Sequence, residues 1–349
     1  LPLEVKQAMA VESLNGEEPD VKSLGLHLAP TSKAALDIVS GRLELTASAI
    51  LEEHLRHKGW SDNRKQRNTY QPAFDDLIAL LGDRMPRDYT NWEVHQLVQY
   101  MLTERGLKTA TVSRRIGCIR AAFNHVAKLY DLKEDLQHAF VSLEIEGLRD
   151  DAEVREDFTQ AQLVRLRYAL SDTKDELAGL LAIMLETGLR VSEVCSLTID
   201  DVHHLDGAFP FVSLHRNAFR KLKTKNSVRF VPLVGVALDY VRTVDTYWLF
   251  PRYVNEQTKR IRNDSASAGA RVRLQAILGP NTPTSHSFRH TMTTRLRDVQ
   301  CPRDLREELL GWTKSTGDNY GSPADIKLKT QYIKDSIKWE GQGWRPPRN

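Results

Sequence analysis

Apolar residues recur every three to four positions over most of this chain, and that spacing predicts a mainly helical protein. From Thr31 to His57 the pattern is helical, through A-A-L-D-I-V and A-S-A-I-L-E-E-H-L. Residues 59–69, G-W-S-D-N-R-K-Q-R-N-T, read as a basic turn. Residues 70–83 then read as an amphipathic helix closed by Gly82. Thr90 with Glu93 three residues later forms a capping box before the helix at 91–102. Along 109–130, Val112, Ile116, Ile119, Ala122, Phe123, Val126 and Ala127 make one stripe for burial. Arg114, Arg115 and Arg120 fall largely off it. They are either a solvated face or a set of phosphate contacts.

The period lapses at 147–156, G-L-R-D-D-A-E-V-R-E, which reads as a linker. Thr159 opens another helix, and Leu177–Glu186 is apolar enough to be buried. Next, 209–215 and 227–234 alternate as strands do, with K-L-K-T-K-N between them as the hairpin. Helical pattern returns at 236–247, 265–278 and 287–299. It returns again in the tail at 326–339, where Ile326, Tyr332 or Ile333, Ile337 and Trp339 line up. That tail folds back on its own domain or docks on a neighbouring protomer. The expected layout is an arm or linker at 1–30, a helical domain at 31–146 and a linker at 147–156. A mixed α/β domain with a small antiparallel sheet follows at 157–320, then a tail at 321–349.

Length and composition are compatible with this plan. A chain of 349 residues holds about two domains. The net charge is only +3, short of the strongly basic balance of many nucleic-acid binders. Charge clustered on one face nevertheless acts locally. Cys118, Cys195 and Cys301 contain no C-x-x-C pair, which fits buried thiols in a reducing compartment. No apolar run is long enough for a membrane span, and no signal peptide is visible. The sequence opens at Leu1, not Met, as a trimmed piece of a longer chain would.

The candidate chemistry lies in two stretches. E-T-G-L-R-V-S-E-V-C-S-L, at 186–197, places Arg190 after a glycine turn in apolar surroundings. An arginine there needs an anion: Glu193, Glu186 or a phosphate. The second stretch, 284–320, brings His286, Arg289 and His290, then Trp312 in L-L-G-W, then Tyr320 in G-D-N-Y-G. His286 and Arg289 share a helix face at i, i+3. His286 and His290, at i, i+4, raise zinc, but a cation lies between them and no third ligand is evident. No P-loop and no acidic metal cluster is visible, so no cofactor or metal is expected.

In this order, T-G-L-R-V-S-E-V-C-S-L, the hairpin lysines, H-S-F-R-H-T and L-L-G-W resemble the tyrosine recombinase (lambda-type phage integrase) family over about residues 60–320. The resemblance implies a helical core-binding domain followed by a catalytic domain. It also implies that Arg190 and Arg289 clamp the scissile phosphate and that His286 assists. Trp312 would donate its indole N–H, at a position that is His in most members. Tyr320 would attack, leaving a 3′-phosphotyrosyl link and a free 5′-hydroxyl. A hairpin lysine, Lys223 with Lys225 as the alternative, would be general acid; Lys221 is the third lysine there. The step from Trp312 to Tyr320 is one residue shorter than the family spacing.

The implied partners are double-stranded DNA bearing recombination sites, further copies of the chain in a homotetramer and accessory DNA-bending proteins, with no membrane. The implied setting is the cytoplasm of a bacterial cell or phage-infected host, at the nucleoid when bound. The expected activity is integration or excision of a mobile element. A relaxing enzyme of the type IB topoisomerase kind and a catalytically silent DNA-binding regulator are the alternatives.

Overall fold

The computed structural model describes residues 45–131, 138–141, 143–151, 156–173, 175–220, 228–312 and 324–337. The chain divides into two compact units, Leu1–Glu153 and Val154–Asn349.

The described part of the first unit holds four α-helices, α1 (Ala47–His57), α2 (Arg64–Leu81), α3 (Asn91–Thr103) and α4 (Thr109–Leu129), with a short 3-10 turn at Pro86–Asp88. Thr90 and Glu93 close the capping box at the start of α3, with Glu93 N–H donating to Thr90 Oγ1 at 3.3 Å and Thr90 N–H to Glu93 Oε2 at 2.9 Å. Every residue of the expected stripe on α4 is buried, and Cys118 joins it. The turn expected at 59–69 is a turn only to Asn63. Asn63 Oδ1 accepts from Gln66 N–H at 3.2 Å, so the polar run R-K-Q-R-N-T is the start of α2. Pro72 therefore sits inside the helix, where it forfeits a backbone bond. The helix persists because Ala73, Phe74 and Leu77 beyond it are fully buried. In the stretch expected as a linker, Asp151 accepts from Thr109 N–H at 2.6 Å, and Arg149 N–H donates to Thr109 Oγ1 at 2.9 Å. Residues 149–151 are thus tied to the start of α4.

His54 on α1 is buried against Tyr70 and His125, and neither of its ring nitrogens has a hydrogen-bond partner. Burial first, then the nearby His125 and Lys58, push its pKa down to about 4. An unfolded histidine titrates near 6.5, so the folded unit binds fewer protons between these values. Stability should be full above about pH 6.5 and fall as the pH drops toward 4. Thermal melts of wild type and His54→Leu should therefore diverge below pH 6.5, wild type losing on the order of 1–3 kcal/mol more. Parallel pH profiles would contradict this.

In the second unit, α5 (Gln160–Ser171) starts on a Thr159–Gln162 capping box. The central helix α6 (Glu176–Thr187) is buried from Ala178 onward. A short α7 (Val191–Val194) leads to a three-stranded antiparallel sheet, β1 (Val202–His203), β2 (Phe211–Leu214) and β3 (Arg229–Pro232), in the order β1-β2-β3. Val212 pairs with Val231 and Leu214 with Arg229. The hairpin expected between β2 and β3 falls largely on 221–227, outside the described residues. α8 (Gly235–Val241) is shorter than the expected 236–247. Past Val241 the chain makes i+3 turns, Thr243 N–H to Tyr240 O and Val244 N–H to Val241 O. A two-stranded ribbon, β4 (Val254–Asn255) and β5 (Arg260–Ile261), precedes α9 (Asn263–Leu278), α10 (Ser287–Asp298) and α11 (Arg303–Leu310). Strands this short leave no alternation to read.

The last described helix, α12 (Ile326–Ile337), packs on α10 and β3 of the same unit. Its buried face is Lys329, Thr330, Ile333 and Ser336; of the stripe expected at 326–339, Ile333 is buried and Ile326, Tyr332 and Ile337 are half-buried. Trp339 lies outside the described residues. Lys329 is fully buried because its ammonium meets Glu308 Oε1 at 2.6 Å. Arg295 Nε donates to the Ser336 carbonyl at 2.9 Å, which fastens the end of α12.

Candidate active site

The site begins where α6 stops. Gly188 takes a left-handed conformation, φ 65°, which ends the helix and turns the chain toward Arg190. A Cβ at Gly188 would come 2.9 Å from Met292 Cβ on α10, so a glycine lets the two segments approach. Arg190 is the N-cap of α7. Its backbone N–H donates to Glu193 Oε2 at 2.9 Å, and its Nη1 donates to Glu193 Oε1 at 2.9 Å. The Arg190 side chain keeps 39% of its surface exposed, so the guanidinium is held and still reachable. Of the two carboxylates weighed for Arg190, Glu193 is its partner. Glu186 is bound instead by Arg167, at 2.7 and 2.9 Å.

Glu193 is itself buried and serves a second arginine. Arg229, on β3, donates from Nη1 to Oε1 at 3.1 Å and from Nη2 to Oε2 at 3.0 Å. Burial alone would raise the Glu193 pKa. The Arg229 cation, its hydrogen bonds and Arg190 hold it below the usual carboxylate range.

Arg289 comes from the first turns of α10. Its Nη1 donates to the Gly188 carbonyl at 3.2 Å, two residues from Arg190, and its Nη2 donates to the Leu310 carbonyl. Burial, then the neighbouring Arg190 cation, push its pKa down to about 9, with Glu193 opposing and Arg229 adding to the fall. At neutral pH it stays charged. A buried cation beside two others is costly, and an anion between Arg190 and Arg289 would offset that cost.

α11 ends on Gly311, φ 64°, in a Schellman turn: Trp312 N–H donates to Glu307 O at 2.9 Å and Gly311 N–H to Glu308 O at 3.1 Å. The turn leaves the last carbonyls of α11 to Arg229 Nε, which takes Leu309 O at 3.0 Å, and to Arg289. It also sets the Trp312 ring 5.8 Å from the Arg289 guanidinium carbon. His286 lies one turn before Arg289, at the exposed start of α10, with its ring 5.1 Å from that of His290. Among the described residues no group of three or more His, Cys, Asp or Glu is placed to hold a metal ion.

Arg190, Arg289 and Trp312 are therefore brought together by the turns at Gly188 and Gly311 and the start of α10, with His286 one turn before Arg289. Lys223, with Lys221 and Lys225, and Tyr320 lie outside the described residues. Sequence reasoning passed over Arg229. The signal was present, since S-V-R-F-V alternates and Arg229 shares a face with buried Val231 while Phe230 is exposed. In the first unit Arg114 and Arg120 are exposed on α4. Arg115 is tied to buried Asp76, which also meets Arg105 at 3.5 Å.

A sequence family described as the Phage integrase family matches residues 156–321, the stretch that carries this cluster. Tyrosine recombinase XerD of Oceanobacillus iheyensis is 28% identical over 257 residues, covering 67% of this chain and 78% of its own. In this stretch the chain is similar to the tyrosine recombinases. Solved integrase structures share its architecture of helices with small antiparallel sheets. The Tn1549 transposon integrase in complex with transposon right end DNA superposes with a TM-score of 0.58 at 21% identity, over 83% of this chain and 99% of that one. A lambda integrase tetramer bound to a Holliday junction gives 0.51 at 14% identity, over 98% and 87%. That similarity gives the arginine cluster its chemical context, the breaking and rejoining of DNA strands.

Proposed function

We propose that this chain is a site-specific recombinase that cuts and rejoins double-stranded DNA, one strand at a time, through a 3′-phosphotyrosyl intermediate. The observation that carries the proposal is the convergence of Arg190 and Arg289, one reachable and one buried, beside Trp312. A phosphodiester under attack gathers negative charge on its non-bridging oxygens, and preorganised donors stabilise that charge by roughly 3–4 kcal/mol each. Arg190 and Arg289 take those oxygens, and the Trp312 indole N–H adds a donor but shuttles no proton. His286 assists by hydrogen bonding. The Tyr320 phenolate oxygen attacks phosphorus while the 5′-oxygen leaves, taking its proton from Lys223 or Lys225. The new ester keeps the energy of the old one, so the reverse attack by a 5′-hydroxyl reseals the strand without ATP.

The helical unit is the second hold on DNA in this proposal. Arg114 and Arg120 on α4 contact phosphates, while Arg115 keeps α4 against α2 through Asp76. Arg114→Ala with Arg120→Ala should weaken DNA binding and lower the slope of log affinity against log salt by about 1–2. An unchanged slope in a salt titration would remove these residues from the interface.

The Tn1549 integrase was solved on transposon right end DNA, and the lambda integrase as a tetramer on a Holliday junction. Those likenesses support integration or excision of a mobile element by a homotetramer. The relaxing-enzyme alternative predicts a different product. Incubation with one plasmid carrying two copies of the element's flanking repeats should yield recombinant circles, and a plasmid without repeats should stay supercoiled. Relaxation of both plasmids with no recombinants would overturn the proposal.

A further inference from the structure

The cation cluster is held together by one residue that touches no candidate substrate position. Arg229 is buried, grips both oxygens of Glu193 and reaches the Leu309 carbonyl at the end of α11. It joins the segment that presents Arg190 to the turn that presents Trp312. Glu193 Oε1 accepts from Arg190 and Arg229 together, at 2.9 and 3.1 Å. Three guanidiniums lie around the one carboxylate of Glu193, a local surplus of cations. A phosphodiester carries one negative charge at rest and gains more as the nucleophile arrives, so this surplus suits the transition state better than the ground state.

Without Arg229, Glu193 would belong to Arg190 alone. Its charge would then draw the Arg190 guanidinium inward and cancel it, since a buried carboxylate takes whatever cation it can reach. We propose that Arg229 is a positioning residue for strand cleavage, which saturates Glu193 so that Arg190 stays free to hold the scissile phosphate. The role rests on the recombinase assignment. It is exercised through Glu193, so substitutions at 229 and 193 must be coupled.

A double-mutant cycle tests this. The first-order rate of covalent adduct formation is measured on a nicked DNA substrate at saturating protein, for wild type, Arg229→Met, Glu193→Gln and the double variant. Arg229→Met should cleave about a hundredfold more slowly than wild type, the scale of losing one preorganised donor. Its DNA affinity should be unchanged. Once Glu193 is neutral, removing Arg229 should matter little, so the double variant should cleave within about tenfold of Glu193→Gln, a spread of one decade in rate. That comparison also holds if Arg229→Met alone fails to fold, because the double variant no longer buries an unpaired carboxylate. A double variant slower than Glu193→Gln by the full hundredfold would place the effect of Arg229 in the Leu309 carbonyl or the fold, and would overturn the proposal. Absence of any adduct from wild type would instead overturn the recombinase assignment itself.

Discussion

Tyr320→Phe will bind its DNA site as wild type does and leave no covalent protein–DNA adduct. The substitution removes one oxygen and keeps the ring, so whatever the ring packs against is preserved. A free phenol has a pKa near 10 and attacks poorly at neutral pH. In the proposed mechanism the phenol meets Arg190, Arg289 and a hairpin lysine, and opposite charges within a few ångströms would favour its ionised form. Phenylalanine offers no oxygen to that field, so the loss should be complete and confined to chemistry. Gel-shift titration and denaturing electrophoresis on the same nicked substrate separate binding from cleavage. An adduct that persisted in Tyr320→Phe would assign the nucleophile elsewhere.

Arg289→Met should produce the next largest effect, and a mixed one. The side chain is 5% exposed and its guanidinium serves the carbonyls of Gly188 and Leu310. Methionine fills the space but leaves both carbonyls unpaired, at about 1–3 kcal/mol each. The relief of a buried cation offsets part of that cost. Cleavage should fall by about 10²–10³ or more, because the proposed mechanism loses a donor to the transition state. Arg190→Met should lose a similar factor in rate with little loss in melting temperature, since its side chain is 39% exposed and Glu193 retains Arg229. Single-turnover cleavage and thermal melts on both variants separate the roles. An Arg289→Met rate within a few-fold of wild type would contradict the clamp.

How far the sequence foretold this architecture depended on the kind of interaction. Local rules were legible. The capping box at Thr90, the helix start at Thr159 and the buried stripe of α4 need only neighbours in sequence, and all are present. The α2 start was misjudged because Asn63 caps it, and a capping asparagine and a turn asparagine look alike before the fold is known. Long-range polar pairing was the harder part. Lys329 reads as a solvated residue until Glu308 is found beside it. Arg229 reads as an ordinary strand residue until Glu193 and Leu309 meet it from α7 and α11. Arg190, His286, Arg289 and Trp312 were singled out by motif order and family resemblance, and each sits next to a turn or helix start.

The central claim is that a tyrosine at position 320 becomes esterified to a DNA 3′-phosphate under the Arg190–Arg289 pair. Its most direct test is to trap wild-type protein on a nicked substrate, digest the adduct with protease and nuclease, and locate the modified residue by mass spectrometry. The account predicts a nucleotide phosphate on the peptide containing Tyr320. A nucleotide on Tyr332 or any other residue, or none at all, would contradict it.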